Sequence, residues 1–173
     1  MPFLFNQKEY QYVDMKPNQT ALNERRVELP LAFGFIDDLP DRDIIEVGNV
    51  TRHYRDDYKH DVLDLNEKPN WKIINDDLFV WFPEKRYSAV VSISTIEHTL
   101  SPLNALNRLL GYAPRTFITF PFGYNGIDEL VENVDELLFM KRISDDNQWK
   151  QATREEVAGV KYNAPFPFAN AIG

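Results

Sequence analysis

From Asp43 onward the chain reads as short apolar runs divided by polar, turn-rich stretches. Ile44, Ile45 and Val47 form the first run, His60 to Leu65 the second, Trp71 to Ile74 a third, Ser88 to Ser94 a fourth and Arg115 to Phe120 a fifth. Runs this short and rich in β-branched residues predict strands covered on both faces. Val50 to Tyr58 predicts a short helix. Leu103, Leu106, Leu109 and Leu110 recur at helical spacing behind Ser101 as N-cap and Pro102 at the first position, with Gly111 placed to end the helix. Ile127, Leu130, Val131, Val134, Leu137 and Leu138 predict another helix, and Phe139 to Ile143 a further strand. Thr153 followed by Glu156 reads as a capping box, and the proline-rich tail from Tyr162 as an edge strand. Ahead of all this, Thr20, Leu22, Arg26, Leu29 and Phe33 suggest a leading helix, in which Pro30 is expected to kink or end the first turns.

Alternating strands and helices predict an α/β fold, a Rossmann-like doubly wound and mostly parallel sheet. Residues 1–19, with Phe3, Phe5, Tyr10 and Tyr12, read as an N-terminal arm, and residues 20–173 as a single domain. A formal charge of −8 argues against a nucleic-acid partner or an anionic membrane surface and favours a small-molecule partner. No cysteine is present, so thiolate metal sites and cysteine nucleophiles are excluded. The N-terminus lacks a signal-peptide pattern and no apolar run approaches spanning length, so the expected location is cytoplasmic and away from membranes.

Doubly wound sheets bind ligands beyond the carboxyl ends of their strands. That rule selects Glu46, Gly48 and Asn49, then Asp64, then Asp76 and Asp77, then Ser94, Thr95, Glu97 and His98, and finally Tyr124 and Asn125. Gly48 allows the turn at the end of the first strand, and an amide-rich helix start with Glu46 nearby would suit a ligand carrying an ammonium and a carboxylate. His98 could take a proton from an acceptor, or could cap the next helix with Glu97. His53, His60, Asp56, Asp57 and Asp61 have no zinc-type spacing and read as a solvated face, so no metal is expected. Tyr12 and Lys16 have a reductase-like spacing but precede the first strand.

The ordered set Glu-Val-Gly-Asn-Val-x-x-x-Tyr (Glu46 to Tyr54), Asp-Val-x-Asp (Asp61 to Asp64), Asn-x-Asp (Asn75 to Asp77), Ser-Ile-Ser-Thr-Ile-Glu-His (Ser92 to His98) and Pro-x-Gly-Tyr-Asn (Pro121 to Asn125) resembles the class I S-adenosylmethionine-dependent methyltransferases. The resemblance covers residues 20–173. It implies that Glu46, Gly48 and Asn49 hold the methionine portion of S-adenosylmethionine, Asp64 the ribose, and Asp77, with Asp76 beside it, the adenine amino group. Ser94 and Thr95 would then lie near the transferred methyl. His98 would act on a small or sugar-like acceptor bound with Glu97, Tyr124 and Asn125, and Phe139 to Ile143 with the tail would form an antiparallel edge pair. The usual Gly-x-Gly-x-Gly is reduced to Gly48-Asn49-Val50-Thr51-Arg52, as in a subgroup with Gly-Asn-Val. Two other readings are a non-catalytic module that keeps the fold without the cofactor, and a nicotinamide-dependent reductase, which lacks two of its expected glycines.

Overall fold

The computed structural model describes residues 2–40, 43–70, 72–124, 126–160 and 171–172. The chain divides into two compact units, Ala32–Ile118 on the one hand and Met1–Leu31 with Thr119–Gly173 on the other.

The unit Ala32–Ile118 is built on a five-stranded sheet. Its strands are β3 (Ile44–Val47), β4 (Asp61–Leu63), β5 (Ile73–Ile74), β6 (Ala89–Ile93) and β7 (Arg115–Thr119), in the order β5-β4-β3-β6-β7. β3 pairs in parallel with β4 and β6, and β4 with β5; Ile45 stands opposite Asp61 on one side and Val90 on the other. Every residue of β3 and β6 is buried, as the mostly apolar runs require of a central parallel strand. The α/β class and parallel sheet are therefore as expected.

One crossover differs from expectation. Between β3 and β4 there is no α-helix over Val50 to Tyr58 but a single 3-10 turn, Thr51–His53, followed by irregular turns. The segment still buries Tyr54 and Tyr58, and its Val50 and Thr51 amides are bonded to the Glu46 carboxylate. The helix between β6 and β7, α2 (Pro102–Leu110), runs where Ser101, Pro102 and Gly111 placed it. Its buried stripe is Pro102, Ala105, Leu106 and Leu109, and Leu110 faces solvent. Gly111 keeps an ordinary φ of −77° instead of the left-handed cap that glycine favours.

Asp61, at the start of β4, joins three segments. Its carboxylate is 2.6 Å from Lys85 Nζ and 3.1 Å from Lys72 Nζ, and accepts from the Tyr87 hydroxyl at 3.0 Å. Burial by itself would push this carboxyl up, but the Lys85, Lys72 and Tyr87 hydrogen bonds outweigh it and hold the group below its usual range. A carboxyl depressed on folding adds stability above its unfolded value of about 4, and this is lost as pH falls through the lower folded value. Asp61→Asn is expected to flatten the acid limb of stability below about pH 4. Urea midpoints measured from neutral to strongly acid pH, with an unchanged slope in the variant, would refute this.

In the other unit, β1 (Phe3–Phe5) and β2 (Lys8–Tyr10) form an antiparallel hairpin, and β8 (Phe139–Arg142) lies between β10 (Ala171–Ile172) and β9 (Trp149–Ala152), antiparallel to both. The antiparallel pair expected from Phe139 to Ile143 and the tail is thus present, but in a separate three-stranded sheet and not as an edge of the parallel one. Residues 161–170 of the tail lie outside the described residues.

The N-terminal segment is fixed to β9. Phe3 stacks on Tyr10 and Tyr12, the Asn6 amide donates to Gln151 Oε1 at 2.9 Å, and the Trp149 amide donates to the Tyr12 hydroxyl at 2.8 Å. α3 (Asp128–Asn133) is shorter than its apolar spacing suggested. The capping box opens α4 (Arg154–Val157), with the Glu156 amide on Thr153 Oγ1 and the Thr153 amide on Glu156 Oε2.

The leading helix is α1 (Arg25–Ile36), preceded by a 3-10 segment, Pro17–Leu22. Pro30 was expected to kink or end its first turns, and the helix does not end there but continues to Ile36. A proline removes the amide that would bond the carbonyl four residues earlier, here Arg26. The Val13 amide supplies the missing donor to that carbonyl at 3.3 Å, so the helix carries its proline without an orphaned acceptor. Among the described residues no helix is long and apolar enough to cross a membrane.

Candidate functional site

The carboxyl ends of β3, β4 and β6 and the loop after β5 enclose a cleft of about 330 Å³ in the unit Ala32–Ile118. Its wall includes Gly48, Asp64, Asp76, Asp77, Thr95 and His98, six of the twelve positions selected from the sequence. Val47, Leu63, Leu65, Leu78, Phe79 and Leu100 supply apolar surface. Leu65 and Leu100, 60% and 103% exposed, stand at its open side.

The turn after β3 is closed entirely by internal acceptors. The Gly48 amide donates to the Leu63 carbonyl at 2.9 Å and the Asn49 amide to Asp64 Oδ2 at 2.8 Å. The Val50 and Thr51 amides donate to Glu46 Oε1 at 3.1 and 2.7 Å. Glu46 Oε2 accepts from the Thr51 hydroxyl at 2.7 Å and lies 2.9 Å from His60 Nε2, and both Glu46 and His60 are fully buried. Four successive amides that were expected to face a ligand therefore face the chain's own carboxylates and a carbonyl. Glu46 is a scaffold for the turn and is not part of the cleft wall.

Gly48 adopts φ +82°, and a Cβ on it would lie 2.2 Å from Thr95 Oγ1. The glycine is thus required both by its backbone and by the Thr95 side chain resting on it. Ser94, just before, is held at φ +39°, an uncommon left-handed conformation for a non-glycine residue. Thr95 Oγ1 donates to the Ile93 carbonyl, and Ser92 Oγ to the Val47 carbonyl, which ties β6 to the end of β3.

Asp64 accepts the Asn66 and Glu67 amides on Oδ1 and only the Asn49 amide on Oδ2, which leaves Oδ2 capacity for a further donor. Asp77 caps its own turn by accepting the Phe79 amide on Oδ1 at 2.8 Å, and Asp76 accepts the Asp77 amide. The His98 side chain is 62% exposed at the cleft, with Nε2 3.8 Å from Oε1 of the buried Glu97.

Asn49, Ser94 and Glu97 are not part of the wall. Asn49 Nδ2 instead donates to Glu67 Oε1, which also lies 3.0 Å from His53 Nε2. Tyr124 belongs to the other unit, where its carbonyl accepts the Ile127 amide. Asn125 lies outside the described residues. Among the described residues no group of three or more His, Asp or Glu could hold a metal ion.

Sequence reading passed over the apolar wall residues Leu65, Leu78, Phe79 and Leu100. Their signal was their position, each within a few residues of a selected acid or of His98 at a strand end. Among the described residues the wall carries three carboxylates and neither lysine nor arginine. With the amides of Gly48 to Thr51 already bonded and carboxylates on its wall, it favours ligands that are cationic or rich in hydroxyl and amino donors over a phosphate or pyrophosphate. Comparison with family models, with curated proteins and with solved structures found no match to this chain.

Proposed function

We propose that the chain is an S-adenosylmethionine-dependent methyltransferase acting on O or N of a small-molecule or sugar-like acceptor. The observation that carries this is the acceptor set of the cleft: Asp64, Asp76 and Asp77 at successive strand ends, apolar walls between them, and neither lysine nor arginine among the described residues. A cationic sulfonium bearing a ribose diol and an exocyclic amine meets those acceptors well, and a nicotinamide dinucleotide meets them badly because its pyrophosphate finds no donor. The open cleft also gives less support to a module that has dispensed with its ligand.

On this reading Asp64 Oδ2 takes a ribose hydroxyl, and Asp77 takes the adenine amino group with Asp76 beside it. Leu78 and Phe79 cover the base, and Gly48 and Thr95 lie against the chain toward the sulfonium. The bound cofactor supplies an electrophilic methyl. The protein's part is to align an acceptor with it, which accounts for much of methyl-transfer catalysis without a general base. His98, exposed at the cleft, is the group placed to receive a proton from an acceptor hydroxyl or ammonium.

Titration calorimetry and thermal unfolding with S-adenosylmethionine, its demethylated product and NADH test the assignment. Saturating cofactor or product is expected to stabilise by about 2–3 kcal/mol at a hundredfold excess over Kd, and NADH to have no effect. Asp77→Asn keeps the Oδ1 acceptor for the Phe79 amide and is expected to weaken binding roughly tenfold or more with little change in stability. Absence of heat and of stabilisation with both adenosyl ligands would sink the reading.

A further inference from the structure

The residues Asp76 to Phe79 form one wall of the cleft, yet the strand before them, β5, is only two residues long. Within the turn, Asp77 accepts the Phe79 amide on its side chain and the Val80 and Trp81 amides on its carbonyl. Those bonds shape the turn but do not fix it to the rest of the unit. Asn75 Nδ2 ties the start of the turn to the Asp64 and Leu65 carbonyls, and the contacts that hold its far end come from α2 and Tyr112 after it. Arg108 donates through Nε to the Leu78 carbonyl and through Nη2 to the Trp81 carbonyl at 2.6 Å. Its Nε is also 3.0 Å from the Tyr112 hydroxyl, which lies 3.1 Å from the Trp81 carbonyl and 3.3 Å from the Leu78 carbonyl.

Aromatic rings enclose the guanidinium. Its carbon lies 4.5 Å from the Phe82 ring centroid and 5.8 Å from that of Tyr112, and Tyr112 meets Trp81 edge to face at 5.5 Å. Burial raises the Tyr112 hydroxyl above its ordinary value against the opposing charge of Arg108, so it stays a protonated donor. A planar guanidinium reaches two carbonyls of one turn in fixed directions, whereas a lysine ammonium is a single charge on a flexible stem. Neither Arg108 nor Tyr112 is part of the cleft wall.

We infer that Arg108, seconded by Tyr112, is a positioning residue that sets the Asp77 to Phe79 wall against the adenosine end of the ligand. The inference rests on the reading of the cleft as an adenosyl site. It predicts that loosening the clamp weakens every adenosine-bearing ligand by a common factor, whatever its sulfur substituent.

The test is calorimetric titration of wild type, Arg108→Met and Arg108→Lys with S-adenosylhomocysteine and 5′-methylthioadenosine, joined to amide hydrogen exchange. Arg108→Met is expected to raise both Kd values about tenfold, and Arg108→Lys by less. The Val80 and Trp81 amides should lose protection while Val90 and Val91 in β6 retain theirs, a local pattern that general destabilisation would not give. If Arg108→Met does not fold, Tyr112→Phe removes one hydroxyl from the same carbonyls and should raise both Kd values about threefold. Wild-type binding with unchanged Kd in the variants overturns the role of Arg108 and Tyr112. Absence of wild-type binding overturns the reading of the cleft, and the inference with it.

Discussion

Glu46→Ala is expected to destabilise the protein by about 3–5 kcal/mol, the cost of breaking a buried charged network from one side. The carboxylate is fully buried and takes four donors: the Val50 amide, the Thr51 amide, the Thr51 hydroxyl and His60 Nε2. Alanine would leave all four without an acceptor in a place closed to solvent, and unsatisfied buried groups are far more costly than the net worth of the bonds they lose. His60 Nδ1 is already buried with no partner among the described residues, so Glu46 is the imidazole's main polar anchor. Glu46→Gln keeps an oxygen for the two amides but sets an amide nitrogen against the hydroxyl and imidazole, and should cost roughly 1.5–3 kcal/mol. Urea unfolding of the three proteins at one pH is the measurement. An alanine variant within about 1 kcal/mol of wild type would mean that the turn does not depend on this carboxylate.

This network also shows where sequence reading reached and where it stopped. The strands were legible because a parallel strand buried on both faces must be largely apolar, and β3 and β6 are, save for Glu46 and Ser92. The one acid inside β3, Glu46, stood out for the same reason. Its position was read as an invitation to a ligand, but the chain supplies the donors itself from residues up to fourteen positions later. No local pattern distinguishes an acid that waits for a ligand from one that binds its own turn.

Other departures have similar causes. Pro30 stays inside α1 because Val13, distant in sequence, supplies a donor that helix rules cannot foresee. β9 went unread because Trp149 is its one buried residue and Lys150 and Gln151 are exposed, as befits a strand paired mainly through its backbone. The turn before it did carry a signal: Asn147 takes φ +53° and its buried amide donates to the Ala21 and Asn23 carbonyls. Arg108 shows the limit most plainly. Its partners are backbone carbonyls, and a carbonyl leaves no trace in the sequence. Six of the twelve selected residues reached the cleft because strand ends and β-sheet topology, which are legible, decide that placement.

Gly48→Ala should cost on the order of 3 kcal/mol or more, from two separable sources. The first is backbone: φ +82° is open to glycine and charges an L-residue about 1–2 kcal/mol. The second is steric, because the new methyl would meet Thr95 Oγ1 at 2.2 Å, Cγ2 at 2.6 Å and Cβ at 2.9 Å. Thr95 cannot yield cheaply. Its hydroxyl is held by the Ile93 carbonyl and the residue before it is already at φ +39°. Thr95→Ala removes the two nearer atoms and leaves Cβ, so the glycine substitution should cost about 1–2 kcal/mol less in that background. A double-mutant cycle by urea unfolding measures this coupling directly, and equal penalties in both backgrounds would show that backbone conformation alone explains the glycine. Both residues line the cleft, so the displaced Thr95 of Gly48→Ala should also raise the Kd for S-adenosylhomocysteine.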